Sequence, residues 1–95
     1  MSKKTWEWVI RENVDEWGDA DNLVFFDAKQ LSQALEYMSS GDELQLYLRW
    51  LDDNDDLLEA DYANVDLETM TLPNEMDGGS SIPKYISKQL RTTEK

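Results

Sequence analysis

Carboxylates are the side chains with which this chain could do acid–base chemistry or hold a metal ion. Its 95 residues include twenty-one Asp and Glu but no His and no Cys. That composition excludes Ser/His and Cys/His catalytic pairs, thiol catalysis and zinc sites built from His or Cys. Two carboxylates could still act as general acid and base, although with so many acids such pairs arise by chance. We therefore expect a protein that is not an enzyme and that uses no cofactor.

One acidic motif, residues 52–56, has the spacing of part of a calcium site. Asp52, Asn54 and Asp56 match the first three ligand positions of an EF-hand loop. The sixth position is Leu57, where that loop needs Gly, and the twelfth is Ala63, where it needs Glu. The motif therefore predicts a solvated acidic turn and no dedicated metal site, with a weak adventitious cation site as the alternative.

The acids are concentrated between Trp50 and Gly78, a stretch that contains no Lys or Arg. Ten of them lie there: Asp52, Asp53, Asp55, Asp56, Glu59, Asp61, Asp66, Glu68, Glu75 and Asp77. Apolar residues such as Leu58, Tyr62 and Val65 run through the stretch, so it has side chains to bury and should be ordered. Ordinary protein surfaces mix positive and negative charges. A stretch that carries only negative charges therefore indicates an acidic binding surface, and a role in solubility alone is the alternative.

The formal net charge of the chain is −12. A large negative charge speeds encounters with cationic surfaces. A protein that binds nucleic acids or anionic membranes instead needs a basic surface patch. We therefore expect a basic protein surface as the partner, and no direct binding to nucleic acid or membrane. No apolar run is long enough to span a membrane and there is no cysteine to oxidise, which together favour a cytoplasmic protein.

Apolar periodicity predicts one acidic α+β domain over residues 1–95, with a small antiparallel sheet of three to four strands and about three helices packed on it. Helical spacing marks residues 5–17, residues 28–38 and a last helix from Ile82 onward. Alternation or a short apolar run marks strands at residues 23–26, 44–50, 58–62 and 65–69. The predicted order is α-β-α-β-β-β-α. Because residues 44–58 also show helical spacing, an all-α fold is the alternative.

Two aromatic residues are candidates for apolar contacts beside the acids. Trp8 points away from the apolar face of the first predicted helix, so it either packs against a later element or forms an exposed contact or self-association anchor. Tyr47 lies on the polar side of the strand predicted at residues 44–50. The predicted partner-binding set comprises Asp52, Asp53, Asp55, Asp56, Glu59, Asp61, Asp66, Glu68, Tyr47 and Trp8.

The spacing of the acids suggests mimicry of a nucleic acid. Alternate residues on a strand stand about 6.6 Å apart, and each strand of duplex DNA carries one charge per ~3.4 Å. If strands 58–62 and 65–69 paired, Glu59 and Asp61 would face Asp66 and Glu68, at a cost of a few tenths to about 1 kcal/mol per like-charge pair. We therefore expect a chain that keeps such a double row of carboxylates to use it in place of a row of phosphates.

In size and charge the chain resembles small acidic proteins of phages and mobile elements that block restriction enzymes, CRISPR complexes or repair nucleases. That resemblance implies a stoichiometric inhibitor of the anti-restriction or anti-CRISPR type, which acts as a DNA mimic on a DNA- or RNA-binding protein. The alternatives are an immunity, antitoxin-like or adaptor protein that clamps one basic partner, and a structural assembly subunit. In the last case a homodimer could form through Trp8 and the terminal helices.

Overall fold

A computed structural model describes residues 3–92 of the chain. Along those residues the elements are β1 (Lys3–Glu12), β2 (Asn22–Asp27), α1 (Leu31–Tyr37), β3 (Glu43–Leu51), β4 (Leu57–Asn64), β5 (Thr71–Leu72), α2 (Lys84–Ser87) and β6 (Arg91–Thr92). Neither of these helices has the length and hydropathy needed to cross a membrane.

The first four strands form one antiparallel sheet in the order β2-β1-β3-β4. β1 therefore lies inside the sheet, with β2 on one side and β3 on the other. α1 carries the chain from β2 to β3, and residues 52–56 connect β3 to β4 as a hairpin turn. β5 and β6 pair in parallel as a separate two-stranded unit. This order leaves β2 and β4 as the two edge strands of the main sheet.

One face of the sheet, the covered face, holds the hydrophobic core. The sheet contributes Trp8, Ile10, Leu44, Leu46, Leu48 and Ala63, and the covering segments contribute Ala28, Leu31, Ala34, Val65, Leu72, Met76, Ile86 and Leu90. Burying a large apolar side chain contributes about 1.5–3 kcal/mol, so this face supplies most of the stability. The opposite face, which we call the open face, carries the side chains of Thr5, Glu7, Val9, Arg11, Phe25, Gln45, Tyr47, Arg49 and Tyr62.

The predicted α+β class, with about three helices packed on the sheet, is wrong, and so is the all-α alternative. Residues 3–92 are mostly sheet and contain two helices, of seven and four residues. The predicted antiparallel sheet of three to four strands is present. The predicted helix at residues 28–38 is reduced to α1, whose buried residues Leu31 and Ala34 lie on the expected face.

The first predicted helix, residues 5–17, is instead the strand β1 and the loop that follows it. Trp6, Trp8 and Ile10 alternate toward the covered face, as a strand requires. Val9 belongs to the open face but is only 2% exposed, because it lies between Phe25 of β2 and residues of β3. Because Trp8, Val9 and Ile10 are all buried, the sequence shows no alternation there, and its apolar spacing resembles that of a helix. The aromatic and β-branched composition of β1 is nevertheless typical of strands.

Candidate functional site

Four of the predicted contact acids lie in the turn between β3 and β4. The Asp52 carboxylate holds this turn together, because it accepts hydrogen bonds from the backbone amides of Asn54 at 2.8 Å and Asp56 at 2.9 Å. Asp55 has a φ of 65°, a left-handed conformation that Asp tolerates better than most residues. Asp53, Asp55 and Asp56 are exposed, whereas Asp52 is half-buried. The turn therefore directs most of its charge outward.

Asp61 occupies a different environment from the other acids of the predicted set. The sequence pattern placed Leu58, Ala60 and Tyr62 on the apolar side of β4, but the structure turns Asp61 and Ala63 toward the core. Asp61 is 7% exposed. Its carboxylate accepts hydrogen bonds from the backbone amides of Tyr62 at 2.8 Å, Gly78 at 2.7 Å and Ser80 at 3.3 Å. Asp61 therefore fastens residues 77–80 to β4 and is not part of an exposed contact surface.

The hydrogen bonds around Asp61 also set its charge. Burial acts to raise the pKa of this carboxyl, but hydrogen bonds from the Ser80 side chain and from the Gly78, Tyr62 and Ser80 amides outweigh it and lower the pKa. Asp61 is therefore ionised at neutral pH. A Cβ atom at Gly78 would lie 2.9 Å from the Asp61 Oδ2 atom, so glycine is what allows the backbone to approach the carboxylate.

Other exposed acids follow β4 to its far end. Glu59 is exposed within the strand. The Asp77 amide donates to the Tyr62 carbonyl at 2.7 Å, which places Asp77 against the outer side of β4. Beyond the strand, the Asp66 carboxylate accepts a hydrogen bond from the Glu68 amide at 3.0 Å. A groove of about 320 Å³ beside β4 is lined in part by Asp66, Glu75 and Asp77.

The acids form one row along an edge and not the predicted double row. Residues 65–69 do not form a strand; Asp66 makes an isolated antiparallel bridge with Thr71 instead. Glu59 and Asp61 consequently do not face Asp66 and Glu68 across paired strands. What remains, which we call the acidic edge, comprises Asp52, Asp53, Asp55, Asp56, Glu59, Asp66, Glu68, Glu75 and Asp77. The eight residues of β4 give this edge a length of about 26 Å before the acids beyond its two ends are added.

Basic side chains in the sheet are mostly engaged on the open face. Arg11 forms an ion pair with Glu43 at 3.1 Å, and the Arg49 Nε atom donates to Glu7 at 2.8 Å. Lys3 does reach the acidic edge, where it pairs with Asp55. Both partners of that pair are more than half exposed, so it contributes at most about 1 kcal/mol. Arg49 is therefore engaged away from the acidic edge, whereas Arg11 lines one groove together with Asp66 and Glu68.

The two aromatic residues of the predicted set lie away from the acidic edge. Trp8 is fully buried on the covered face, and its Nε1 atom donates to the Ala28 carbonyl at 2.9 Å. It is a core residue and offers no surface for a partner or a second copy. Tyr47 is half-buried on the open face, where its ring meets Phe25 edge-on with 6.3 Å between centroids. Seven of the ten predicted residues therefore lie together on the acidic edge.

The predicted set did not include two acids of the acidic edge or the exposed apolar residues of β2. Glu75 and Asp77 join the edge because residues 75–80 fold back beside β4. Leu23 and Phe25 of β2 are 54% and 43% exposed. The run Leu23–Phe26 predicted a buried strand because its four residues are all apolar, so no alternation marked the exposed side.

The acidic edge presents carboxylates that can bind cationic groups. Its carboxylates are spread along a line, and in residues 3–92 no group of three or more acids is placed to hold a metal ion. Comparisons of the chain with protein-family models, with curated proteins and with solved structures found no match.

Proposed function

We propose that this protein is a cytoplasmic stoichiometric inhibitor that occupies the basic cleft of a DNA- or RNA-binding protein in place of the nucleic acid. The observation that supports this most directly is the arrangement of the acidic edge, in which nine carboxylates that are not buried follow one edge of the sheet. Arg49, which could have neutralised some of them, pairs with Glu7 on the open face.

The dimensions of the acidic edge support mimicry of a phosphate backbone. One strand of duplex DNA carries one charge per ~3.4 Å, so about 26 Å of it carries about eight phosphates. The acidic edge presents nine carboxylates, of which Glu59 lies in β4 itself and the others lie in the turn before the strand or in the segments after it. A cleft built to neutralise a phosphate row would therefore meet a similar number of negative charges, although they are clustered near the two ends of β4.

The mode of binding follows from the electrostatics. A protein of net charge −12 is attracted to a basic cleft over long distances, which accelerates association. Exposed charges are screened within about 8 Å at physiological ionic strength, so the complex should weaken steeply as salt is added. Nucleic acid and inhibitor would bind the same cleft, and each would displace the other.

The experiment is capture of target proteins from a bacterial lysate on the immobilised protein at about 50 mM salt, followed by elution with duplex DNA or RNA. The test variant carries Asp53→Asn, Asp55→Asn and Asp56→Asn, and it keeps Asp52 because that residue holds the turn. The control carries Glu16→Gln, Asp19→Asn and Glu36→Gln, which remove the same charge from exposed residues that do not belong to the acidic edge. We expect at least about a tenfold loss of affinity in the test variant and less than about threefold in the control.

Two results would contradict the proposal. Equal losses in the two triple variants would mean that overall charge, and not the acidic edge, attracts the partner. A captured partner that nucleic acid fails to displace would favour a dedicated clamp of the immunity or adaptor type.

A further inference from the structure

The open face of the sheet carries a groove that is lined by side chains from all four strands. Its volume is about 380 Å³, and its lining includes Leu23 and Phe25 of β2, Val9 of β1, Tyr47 of β3 and Tyr62 of β4. Val9 is buried between the strands, whereas Leu23, Phe25 and Tyr62 are all more than a third exposed. The groove therefore presents apolar and aromatic surface to the solvent.

Contacts among its neighbours fix the shape of this groove. The Phe25 ring meets the Tyr47 ring edge-on, and the Arg49 guanidinium lies 5.3 Å from the centre of the Phe25 ring. Arg49 is itself held by Glu7, to which its Nε atom donates at 2.8 Å. Because these side chains are already in place, a ligand that enters the groove loses little free energy in ordering them.

Tyr62 joins the open-face groove to the acidic edge. It lines the open-face groove and also the groove of about 320 Å³ beside β4, to which Asp66, Glu75 and Asp77 contribute. The Asp77 amide donates to the Tyr62 carbonyl at 2.7 Å, which holds the acids of this segment beside the strand. An apolar site and a set of carboxylates therefore lie next to each other, and a ligand that fits both needs an apolar group beside positive charges.

We propose that the open-face groove binds one large apolar side chain from an extended segment of a partner protein. Lys or Arg residues of the same segment then contact Asp66, Glu75 and Asp77. The inference deepens the proposed function and rests on it, because its partner is the basic protein that the acidic edge attracts. It adds that the target is recognised by an apolar anchor as well as by charge, and such anchors commonly dominate the energy of an interface.

The geometry of the sheet sets the spacing within that segment. Val9 on β1 and Tyr62 on β4 are two strand spacings apart, and the backbone at Asp77 lies beyond β4. Three spacings of about 4.8 Å give about 14 Å, which is the length of about four extended residues. The first basic residue of the segment should therefore follow the apolar residue by about four positions.

Charge favours a basic segment over two other occupants. A second copy of this chain would bring a further net charge of −12 to the acidic edge. A nucleobase could stack on the aromatic residues, but the phosphates attached to it would lie against Asp66, Glu75 and Asp77. Lys and Arg side chains are instead attracted by those carboxylates.

The experiment is an NMR titration of the ¹⁵N-labelled full chain with the peptide GWGGSKKKG at about 50 mM salt. The peptide GAGGSKKKG lacks the apolar anchor, and GWGGSQQQG lacks the positive charges. We expect each of these changes to weaken binding at least about fivefold. The parent peptide should shift the amide resonances of Phe25, Tyr47 and Tyr62, and GAGGSKKKG should shift them less.

Substitutions in the protein complete the test as a double-mutant cycle. In Phe25→Ala and Tyr62→Ala, exchanging the peptide tryptophan for alanine should weaken binding less than about twofold, because the groove no longer encloses the indole. Tyr37→Ala is the matched control, since Tyr37 is 48% exposed and packs on Phe26, whose side chain leaves the opposite face of β2. It should keep the full tryptophan effect.

The charge contacts are tested separately from the groove. The variant Glu75→Gln/Asp77→Asn removes two exposed carboxylates of the acidic edge. It should weaken GWGGSKKKG and GAGGSKKKG by the same factor, which leaves the tryptophan effect unchanged. Each comparison sets two peptides against one protein variant, so a general loss of stability cannot imitate the result.

Three results would overturn the inference. A tryptophan effect of equal size in Phe25→Ala, Tyr62→Ala and Tyr37→Ala would show that the groove does not hold the side chain. Equal binding of GWGGSKKKG and GWGGSQQQG would remove the basic segment as the ligand. Dimerisation of the chain without peptide, abolished by Phe25→Ala, would assign the groove to a second copy.

The two proposals can fail separately. If the peptides ignore the groove while Asp53→Asn/Asp55→Asn/Asp56→Asn still loses the captured target, the inhibitor proposal stands and the apolar anchor falls. If the double-mutant cycle holds while nucleic acid fails to displace the captured target, the groove binds basic segments and the inhibitor proposal falls.

Discussion

At the scale of single residues, Asp61 and Glu59 show how far the role of a carboxylate depends on what covers it. Both belong to β4 and stand two positions apart, so their side chains leave the same side of the strand. Glu59 is exposed, whereas Asp61 is buried beneath residues 77–80. Local pattern could not separate them, because the segment that covers Asp61 lies 17 residues further along the chain.

We predict that Asp61→Asn destabilises the fold by about 1–3 kcal/mol at pH 7, because an amide nitrogen cannot accept the backbone hydrogen bonds that the carboxylate accepts. The folded-state pKa of Asp61 lies below its ordinary value of 3.8, so its contribution is complete above that value and is lost as pH falls through the folded pKa. Urea denaturation of both proteins from pH 7 to pH 2 should show this difference in stability shrinking below about pH 4.

Asp56→Asn is the matched control for this prediction, since it removes the same charge from an exposed residue. Its stability should stay within about 0.5 kcal/mol of the parent protein across the same pH range. If Asp61→Asn were equally harmless, the hydrogen bonds of Asp61 to residues 78 and 80 would not stabilise the fold.

At the scale of elements, strands were predictable where only one side of the strand is buried. Leu44, Leu46 and Leu48 of β3 gave a clean alternation, and the structure confirms that strand. β1 was misread because Val9 on the open face is buried as well as its neighbours. In β4 the polar residue Asp61 points inward, which inverted the expected sides of the strand. Both errors arise from tertiary contacts that local periodicity does not contain.

The turn between β3 and β4 offers a prediction at this scale. Asp52→Ala removes the acceptor of two backbone hydrogen bonds, so it should destabilise the hairpin and lower the free energy of unfolding by about 1–2 kcal/mol. Asp52→Asn removes the same charge but keeps a side-chain oxygen that can accept both bonds, so it should cost less than about 0.5 kcal/mol. Urea denaturation of the two variants checks this, and equal losses would assign the effect to charge instead.

At the scale of the whole molecule, most of the candidate site was predictable and its shape was not. Residues 50–78, which contain ten acids and no Lys or Arg, indicated the acidic edge, and seven of the ten predicted residues lie on it. The length of the row and the inclusion of Glu75 and Asp77 depend on residues 75–80 folding back beside β4. This folding back of residues 75–80 is a long-range contact, and neither the composition nor the residue spacing of the sequence reveals it.

The net charge of −12 makes a prediction for the molecule as a whole. Like charges repel more strongly in the folded state than in the expanded chain, so added salt should stabilise the fold. We expect the free energy of unfolding to rise by about 1 kcal/mol between 0.02 M and 0.5 M NaCl. Urea denaturation at several salt concentrations measures this. The triple variant Asp53→Asn/Asp55→Asn/Asp56→Asn should respond less, and a stability that falls with salt would contradict the expectation.

The segment that covers β4 bears on whether this chain could polymerise. A fibril of this kind grows because each subunit has two open strand edges, one that pairs with the subunit before it and one that pairs with the subunit after it. Here residues 77–80 lie beside β4, so one of the two edges of the main sheet is already occupied. The buried Asp61 carboxylate holds this cover in place, so releasing the cover would expose a second strand edge and open a route to filaments.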